Sequence, residues 1–375
     1  MFAKTKKIFA VVLSVIMALS CLALMASANK ADTDLQFNDD GKFTILQMSD
    51  IQDGYPMKTI TKRYIKDTLN AVKPDLVVLT GDNISGGAAW SKLLAKAAIN
   101  EFMSIFEKAG VPVAAVFGNH DEEGAASKEE MMSYYVEYDC FVGCAGEDMT
   151  GVGNYNLPIL SSDGSKVAFN VWCVDSGDYY EGGGYDCIHK DQIDWYKSTA
   201  AELAAANGGE VVPAMMFQHI IVKEIYEALE KDENGKWVLP EGAVGEMDET
   251  PCPADYTNGQ FDAMLEVGDV LAVYSGHDHK NTFVVNYKGI DIINTPGIGF
   301  NSYDNDNVGS RVIVLDENDI ENYETYCLEY FDIYGEDDEV AYYLYLANSD
   351  TTDDMTKFTA WFKFIFASIK SIFTF

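Results

Sequence analysis

Five short apolar runs in this chain of 375 residues each lead, within a few positions, into side chains that can bind a metal. Residues 43–48 run into Asp50 and Gln52, residues 76–80 into Gly81-Asp82-Asn83, and residues 111–117 into Gly118-Asn119-His120-Asp121. Residues 211–217 deliver His219, and residues 270–274 deliver Gly276-His277-Asp278-His279. A continuous apolar run bounded by Gly, Asp and Asn reads as a strand buried on both faces, so layers must cover it on both sides. Helical periodicity fills the gaps: 59–72 places Ile60, Tyr64, Ile65 and Leu69 on one face, and 90–109 and 191–206 follow the same rule. Runs 156–160 and 167–174 flank Ser162-Asp163-Gly164-Ser165 and read as a hairpin, with further strands at 282–286, 291–294, 312–315 and 322–328. This alternation predicts a layered α/β fold, in which ligand sites form at the carboxyl ends of the strands.

Taken singly, these polar residues have ordinary readings. Asp50 or Asp82 could cap a helix or open a loop, His219 could be a satisfied core histidine, and Gly118-Asn119-His120-Asp121 could be a plain turn. Taken together, four of the chain's five histidines stand at strand exits, beside Asp, Asn and Gln. Such oxygen and imidazole donors suit divalent Mn, Fe, Zn or Co. One Asp between two donor sets can bridge two cations about 3.5–4 Å apart and poise a hydroxide for in-line attack on phosphorus. His189, the fifth histidine, precedes a helix and is expected to face solvent. The loop 176–187, rich in Gly and Tyr, and the irregular stretch 224–258 are candidate rim elements, or else ordinary surface loops.

Charge narrows the partners. The net charge is −34, and removing the three lysines of residues 1–28 makes it −37. A field of that sign repels nucleic acid, whereas a small anionic phosphoester can still bind where buried cations invert it. Residues 1–28 combine a basic start, an apolar run from Ile8 to Met25 and Ala26-Ser27-Ala28, which reads as a cleaved signal peptide and places the mature protein outside the cell or on its surface. Export leaves Cys140, Cys144, Cys173, Cys187, Cys252 and Cys327, whose pairing is open and whose role is expected to be structural at most. At the other end, residues 333–354 read as an acidic, polar linker. Beyond it, residues 355–375 carry Phe358, Trp361, Phe362, Ile365, Phe366, Ile369, Ile372 and Phe373 at helical spacing, with three lysines and no acid. That amphipathic helix either docks on the protein's own body or lies in a membrane interface.

The ordered set Asp50-x-Gln52, Gly81-Asp82, Gly118-Asn119-His120-Asp121, His219 and Gly276-His277-x-His279 resembles the calcineurin-like metallophosphoesterase superfamily over roughly residues 43–328. The stretch from Pro251-Cys252-Pro253 to Gly276-His277-Asp278-His279-Lys280-Asn281 resembles its purple-acid-phosphatase-like branch. The resemblance implies a four-layer α/β/β/α sandwich over 36–332 and an exported hydrolase of phosphate mono- or diesters with two divalent ions (Mn, Fe or Zn). It implies that Asp50, Gln52, Asp82 and His279 hold one ion, and that Asp82 bridges to a second held by Asn119, His219 and His277. His120 would contact the phosphate and protonate the leaving oxygen, with Asp121 orienting its ring. Two positions depart from the family. Gln52 stands where His is usual, which favours a harder ion such as Mn²⁺. Ser85 stands where a purple enzyme has its iron-binding tyrosine, so the protein is expected not to be purple. The competing reading is a surface-attached binding protein whose metal site is structural or degenerate.

Overall fold

The computed structural model describes residues 35–301, 307–335, 337–349 and 352–373, with side chains to residue 370; the signal peptide expected at 1–28 lies outside these residues. In chain order the first half forms β1 (Leu35–Gln36), β2 (Lys42–Met48), α1 (Thr59–Val72), β3 (Leu76–Thr80), α2 (Lys92–Ala109), β4 (Val113–Val116), α3 (Lys128–Tyr135), β5 (Tyr155–Leu160) and β6 (Val167–Cys173). Then come α4 (Lys190–Ala206), β7 (Ala214–Phe217), α5 (Ile225–Ala228), β8 (Glu230–Lys231), β9 (Trp237–Val238), α6 (Gln260–Val267) and β10 (Val270–Ser275). The remainder is β11 (Val284–Tyr287), β12 (Ile290–Asn294), β13 (Gly309–Asp316), β14 (Glu324–Glu329), α7 (Tyr330–Tyr334), α8 (Glu339–Asn348) and α9 (Asp354–Phe373).

Two sheets carry the fold. One runs β14-β13-β2-β3-β4, with β2, β3 and β4 parallel; the other runs β1-β5-β6-β7-β10-β12-β11, with β6, β7, β10 and β12 parallel. Alternation along each strand explains the layering. Phe43, Ile45, Leu76 and Val78 of one sheet meet Met215, Phe217, Ala272 and Tyr274 of the other between the sheets. Leu46, Met48, Val77 and Leu79 point the opposite way, against α1, α2 and α3, while Ala214, Met216 and Val273 face α4, α5 and α6. The expected α/β/β/α sandwich is therefore the observed one. Parallel strands of both sheets end at one shared rim, which gathers residues far apart in the chain.

Several boundaries differ for local reasons. Runs 111–117 and 211–217 begin with residues that are not strand, because Pro112 and Pro213 have no N–H for the ladder. Their carbonyls still accept bonds from Val77 and Asn170, at 2.9 and 3.0 Å. Helices α3 and α6 were not expected, although Ser127 and Glu130 form a capping box at the start of α3.

The segment 333–354 is a correction. It is largely helical, and Ala341, Leu344 and Tyr345 at i, i+3 and i+4 pack into the helix-side core. Its acidity partly serves structure, since the Asp338 carboxylate caps α8 by accepting from the N–H groups of Val340 and Ala341 at 2.8 and 3.0 Å.

Candidate metal centre

Tight turns aim the site residues. Asp50, Gln52, Asp82 and His277 all adopt left-handed backbone, with φ of 53°, 40°, 49° and 70°. Few non-glycine residues adopt that region, Asp and His more readily than most, and its recurrence at four of these turns fits the strain that functional sites often hold. Close approach explains two of the neighbouring glycines. A Cβ on Gly118 would lie 2.2 Å from Asp82 Oδ1, and one on Gly276 would lie 1.7 Å from Ser49 Oγ and 2.6 Å from Asp50 Oδ2.

The turns bring two groups of donors together. Asp82, His219 and His277 present ligand atoms within 4.8 Å of one another, and so do Asp50, Asp82 and His279. Asp82 belongs to both groups. All five side chains are buried. Asn119 and Gln52 stand on the two sides: Asn119 Oδ1 is 3.2 Å from His219 Nε2, and Gln52 Nε2 donates to Asp82 Oδ2 at 2.9 Å. An amide flip would turn the Gln52 oxygen inward instead. All seven predicted ligands thus meet at one place.

The donor chemistry fits cations. His219 Nδ1–H donates to the Thr80 carbonyl at 2.8 Å, which commits that nitrogen and leaves Nε2 facing inward. Nε2 there meets two oxygen acceptors, Asn119 Oδ1 at 3.2 Å and Asp82 Oδ2 at 3.3 Å. Three electron-rich atoms so close require positive charge among them, either a proton or a metal ion. Burial alone would lower the His219 pKa, yet Asp82 and Asp50 push it up to about 10 in the polypeptide alone. Across the centre, Asp50 Oδ1 is buried without a hydrogen-bond donor and stands 3.3 Å from His279 Nε2. That is the separation of two ligands sharing one ion at about 2.0–2.2 Å from each. Burial and the nearby His219 hold His277 down to about 3, so its imidazole is neutral and available as a ligand.

His120 is half-buried at the edge, its N–H donating to Asp82 Oδ1 at 2.8 Å. The expected partner of its ring needs correction. Asp121 accepts from the N–H groups of Ile84 and Gly118, at 3.0 and 2.8 Å, and so ties together the loops that follow β3 and β4. Its burial and the Asp82 charge push its carboxyl up to about 7. The ring instead pairs with Glu123, Nδ1 to Oε1 at 2.9 Å. Burial lowers the His120 pKa, but Asp82 and Glu123 outweigh it and the net direction is upward.

The candidate rim loops do reach the site. Tyr179 Oη accepts from Asn119 Nδ2 at 2.9 Å and donates to Glu123 Oε1 at 3.0 Å, while the Tyr185 ring stands edge-on to His277 at 4.3 Å. Buried Lys128 anchors the start of that loop through Asp175 and Asp178, at 3.0 and 2.6 Å. From the stretch 224–258, the Cys252 N–H donates to Asp278 at 3.1 Å and Glu249 accepts from the Lys280 N–H at 2.8 Å. Glu123 went unnoticed in the sequence, though its place three residues after His120 was a visible signal. His189 does not simply face solvent: it is half-buried, with Nε2 3.0 Å from the Asp186 carboxylate. The six described cysteines are free thiols.

A dinuclear ligand set at the rim of such a sandwich defines a metallophosphoesterase. The chain belongs to the calcineurin-like phosphoesterase family, which matches residues 43–281. Within that family it falls in the purple-acid-phosphatase-like branch. It is 29% identical over 343 residues to Probable inactive purple acid phosphatase 14 of Arabidopsis thaliana, covering 81% of this chain and 83% of the relative. It is 30% identical over 342 residues to Probable inactive purple acid phosphatase 29 of the same plant, covering 81% and 85%. Among solved structures, a dimetal phosphatase from Danio rerio is similar at 14% identity and a TM-score of 0.46, covering 77% of this chain and 99% of its own.

Proposed function

We propose that this protein is an exported hydrolase of phosphate mono- or diesters that works with two divalent ions, Mn²⁺ preferred. The observation that supports this reading is the pair of buried ligand groups sharing Asp82. Asp50, Gln52, Asp82 and His279 would hold one ion, and Asp82, Asn119, His219 and His277 the other. When bound, the ions supply Lewis-acid activation and the positive charge that a phosphoester needs inside so acidic a protein. His120 stands at the open edge, where it can hydrogen-bond a phosphoryl oxygen and give a proton to the departing one. Against its burial, the Glu123 carboxylate beside it raises its pKa and so favours the protonated, donating form. Glu123 holds the ring, and Asp121 holds the loop that carries it.

The names of the two plant relatives favour a second reading, in which the centre binds metal without turnover. Gln52 is the feature of this chain that suits it. Against it stand the complete remaining ligand set and His120 with its own carboxylate partner.

Hydrolysis of bis(p-nitrophenyl) phosphate and p-nitrophenyl phosphate with Mn²⁺, measured beside Asp82→Asn, decides between them. Turnover on either ester that disappears in the variant is the expected result. A folded, Mn²⁺-loaded protein that turns over neither ester, nor a pyrophosphate, would establish the binding reading instead.

A further inference from the structure

The helix α9 is amphipathic in the sense opposite to a docked terminal helix. It rests on α8 through its small side chains: Ala360 is 2% exposed, Ala367 is buried, and Phe364 packs against the helix-side core. The large apolar residues face outward. Phe358 is 61% exposed, Trp361 52% and Phe366 70%, and Met355, Phe362 and Ile369 are exposed beside them. At 3.6 residues per turn these six project from one arc of about 140°. Phe358 and Trp361 each meet Phe362 edge-to-face, with centroids 4.9 and 5.2 Å apart, so the stripe is continuous.

Lysines border the stripe on both sides. Helical geometry puts Lys357 about 40° beyond one edge, and Lys363 and Lys370 about 40–60° beyond the other. No acid occurs from Met355 to the end of the chain, although the whole protein carries −34. Lys363 Nζ lies 5.1 Å from the Tyr343 ring centroid and Lys370 Nζ 3.3 Å from Glu339, contacts that keep both lysines on the side of the helix next to α8.

We propose that this face of α9 lies in the interface of a lipid bilayer, with the aromatic stripe among the acyl chains and the lysines at the phosphate headgroups. A wide apolar arc with aromatic residues and flanking lysines is the pattern of a helix lying in the membrane plane. Among the described residues no helix is long and apolar enough to cross a membrane. Self-association is the less suitable use, because two copies joined through the same stripe would set their lysine borders against each other. This surface is independent of the chemistry at the metal centre.

The test is flotation of the chain from Asn29 onward, which keeps every described residue, with vesicles of phosphatidylcholine with or without phosphatidylglycerol. The protein is expected to float with the vesicles and Trp361 emission to shift to the blue, a shift absent from Trp361→Phe. Phe358→Ser, Trp361→Ser and Phe366→Ser combined should lower the partition coefficient on the order of a hundredfold, from the apolar area removed. The triple variant should keep its circular dichroism and melting temperature, since these side chains are exposed. Lys357→Gln with Lys363→Gln should weaken binding to the anionic vesicles by about fivefold per lysine and leave the neutral ones unchanged. The proposal is overturned if the parent stays unbound, or if the triple variant floats as well as the parent does. A parent that dimerises in solution without binding vesicles, and becomes monomeric in the triple variant, would make the stripe an interface between copies.

Discussion

His120 Nδ1 lies 2.9 Å from Glu123 Oε1, so the histidine at the edge of the metal centre is held by a carboxylate three residues further along its own loop. The same Glu123 oxygen accepts from Tyr179 Oη at 3.0 Å, and Tyr179 in turn accepts from Asn119. One carboxylate therefore positions the proposed proton donor and steadies the amide of a candidate ligand.

If Glu123 holds the His120 ring, Glu123→Ala should lower kcat by roughly ten- to a hundredfold on an alkyl phosphoester, whose leaving oxygen needs a proton. The loss should be much smaller on p-nitrophenyl esters, whose leaving group departs without help. KM should change little, and Glu123→Gln should retain part of the activity because its amide oxygen still accepts. Equal losses on both ester types would remove Glu123 from proton transfer and leave it a packing role.

Tyr179 fixes which end of the Asn119 amide faces His219. Tyr179→Phe keeps the ring and deletes the acceptor for Asn119 Nδ2, so the ion that Asn119, His219 and His277 are proposed to hold should bind about tenfold more weakly, as losing a partner behind the ligands usually costs. Mn²⁺ titration calorimetry should show one of two sites weakened and the other unchanged. Two unchanged sites would mean that Asn119 needs no partner.

Asp269 sits in the outer core, where its carboxylate accepts from Trp172 Nε1 at 2.9 Å and from the Tyr196 hydroxyl. Burial outweighs those bonds and holds its pKa above the ordinary value. A carboxyl raised in the folded state favours the native protein below its unfolded pKa of about 3.9, and that contribution is lost as pH rises through the folded value. Asp269→Asn removes the titration. Melting in EDTA should show the advantage of the parent over the variant shrinking from pH 4 towards pH 7, and a constant difference would contradict this.

Colour tests the departure at Ser85. A purple iron centre requires a phenolate ligand, and the corresponding position here is Ser85, whose N–H donates to the Asp53 carbonyl at 3.1 Å. Iron-loaded protein should show no absorption band from violet to green. Such a band would mean that another tyrosine reaches the ion.

The layers and the gathering of the candidate donors were legible because each depends on short-range pattern. Residues 76–80 are apolar at nearly every position and β3 is buried on both faces, so the run itself demanded cover on two sides. The turns that follow the strands carried their donors in plain view. Local misreadings had local causes: prolines trimmed two strands, and an Asp338 cap was taken for linker acidity.

Pairing in space lay beyond that pattern. Asp121 follows His120 directly, yet its oxygens are taken by two backbone N–H groups, and the ring turns to Glu123 instead. Tyr179 reaches Asn119 across sixty positions of chain because Lys128 pins its loop. The periodicity of α9 showed that it had an apolar face but not which face the body would cover. Chain order and residue chemistry set the identity of the candidate ligands, since those are properties of single residues and their neighbours. Partnership and exposure came from the packing of two sheets and their helices, because they depend on competition among groups that only the folded chain brings within reach.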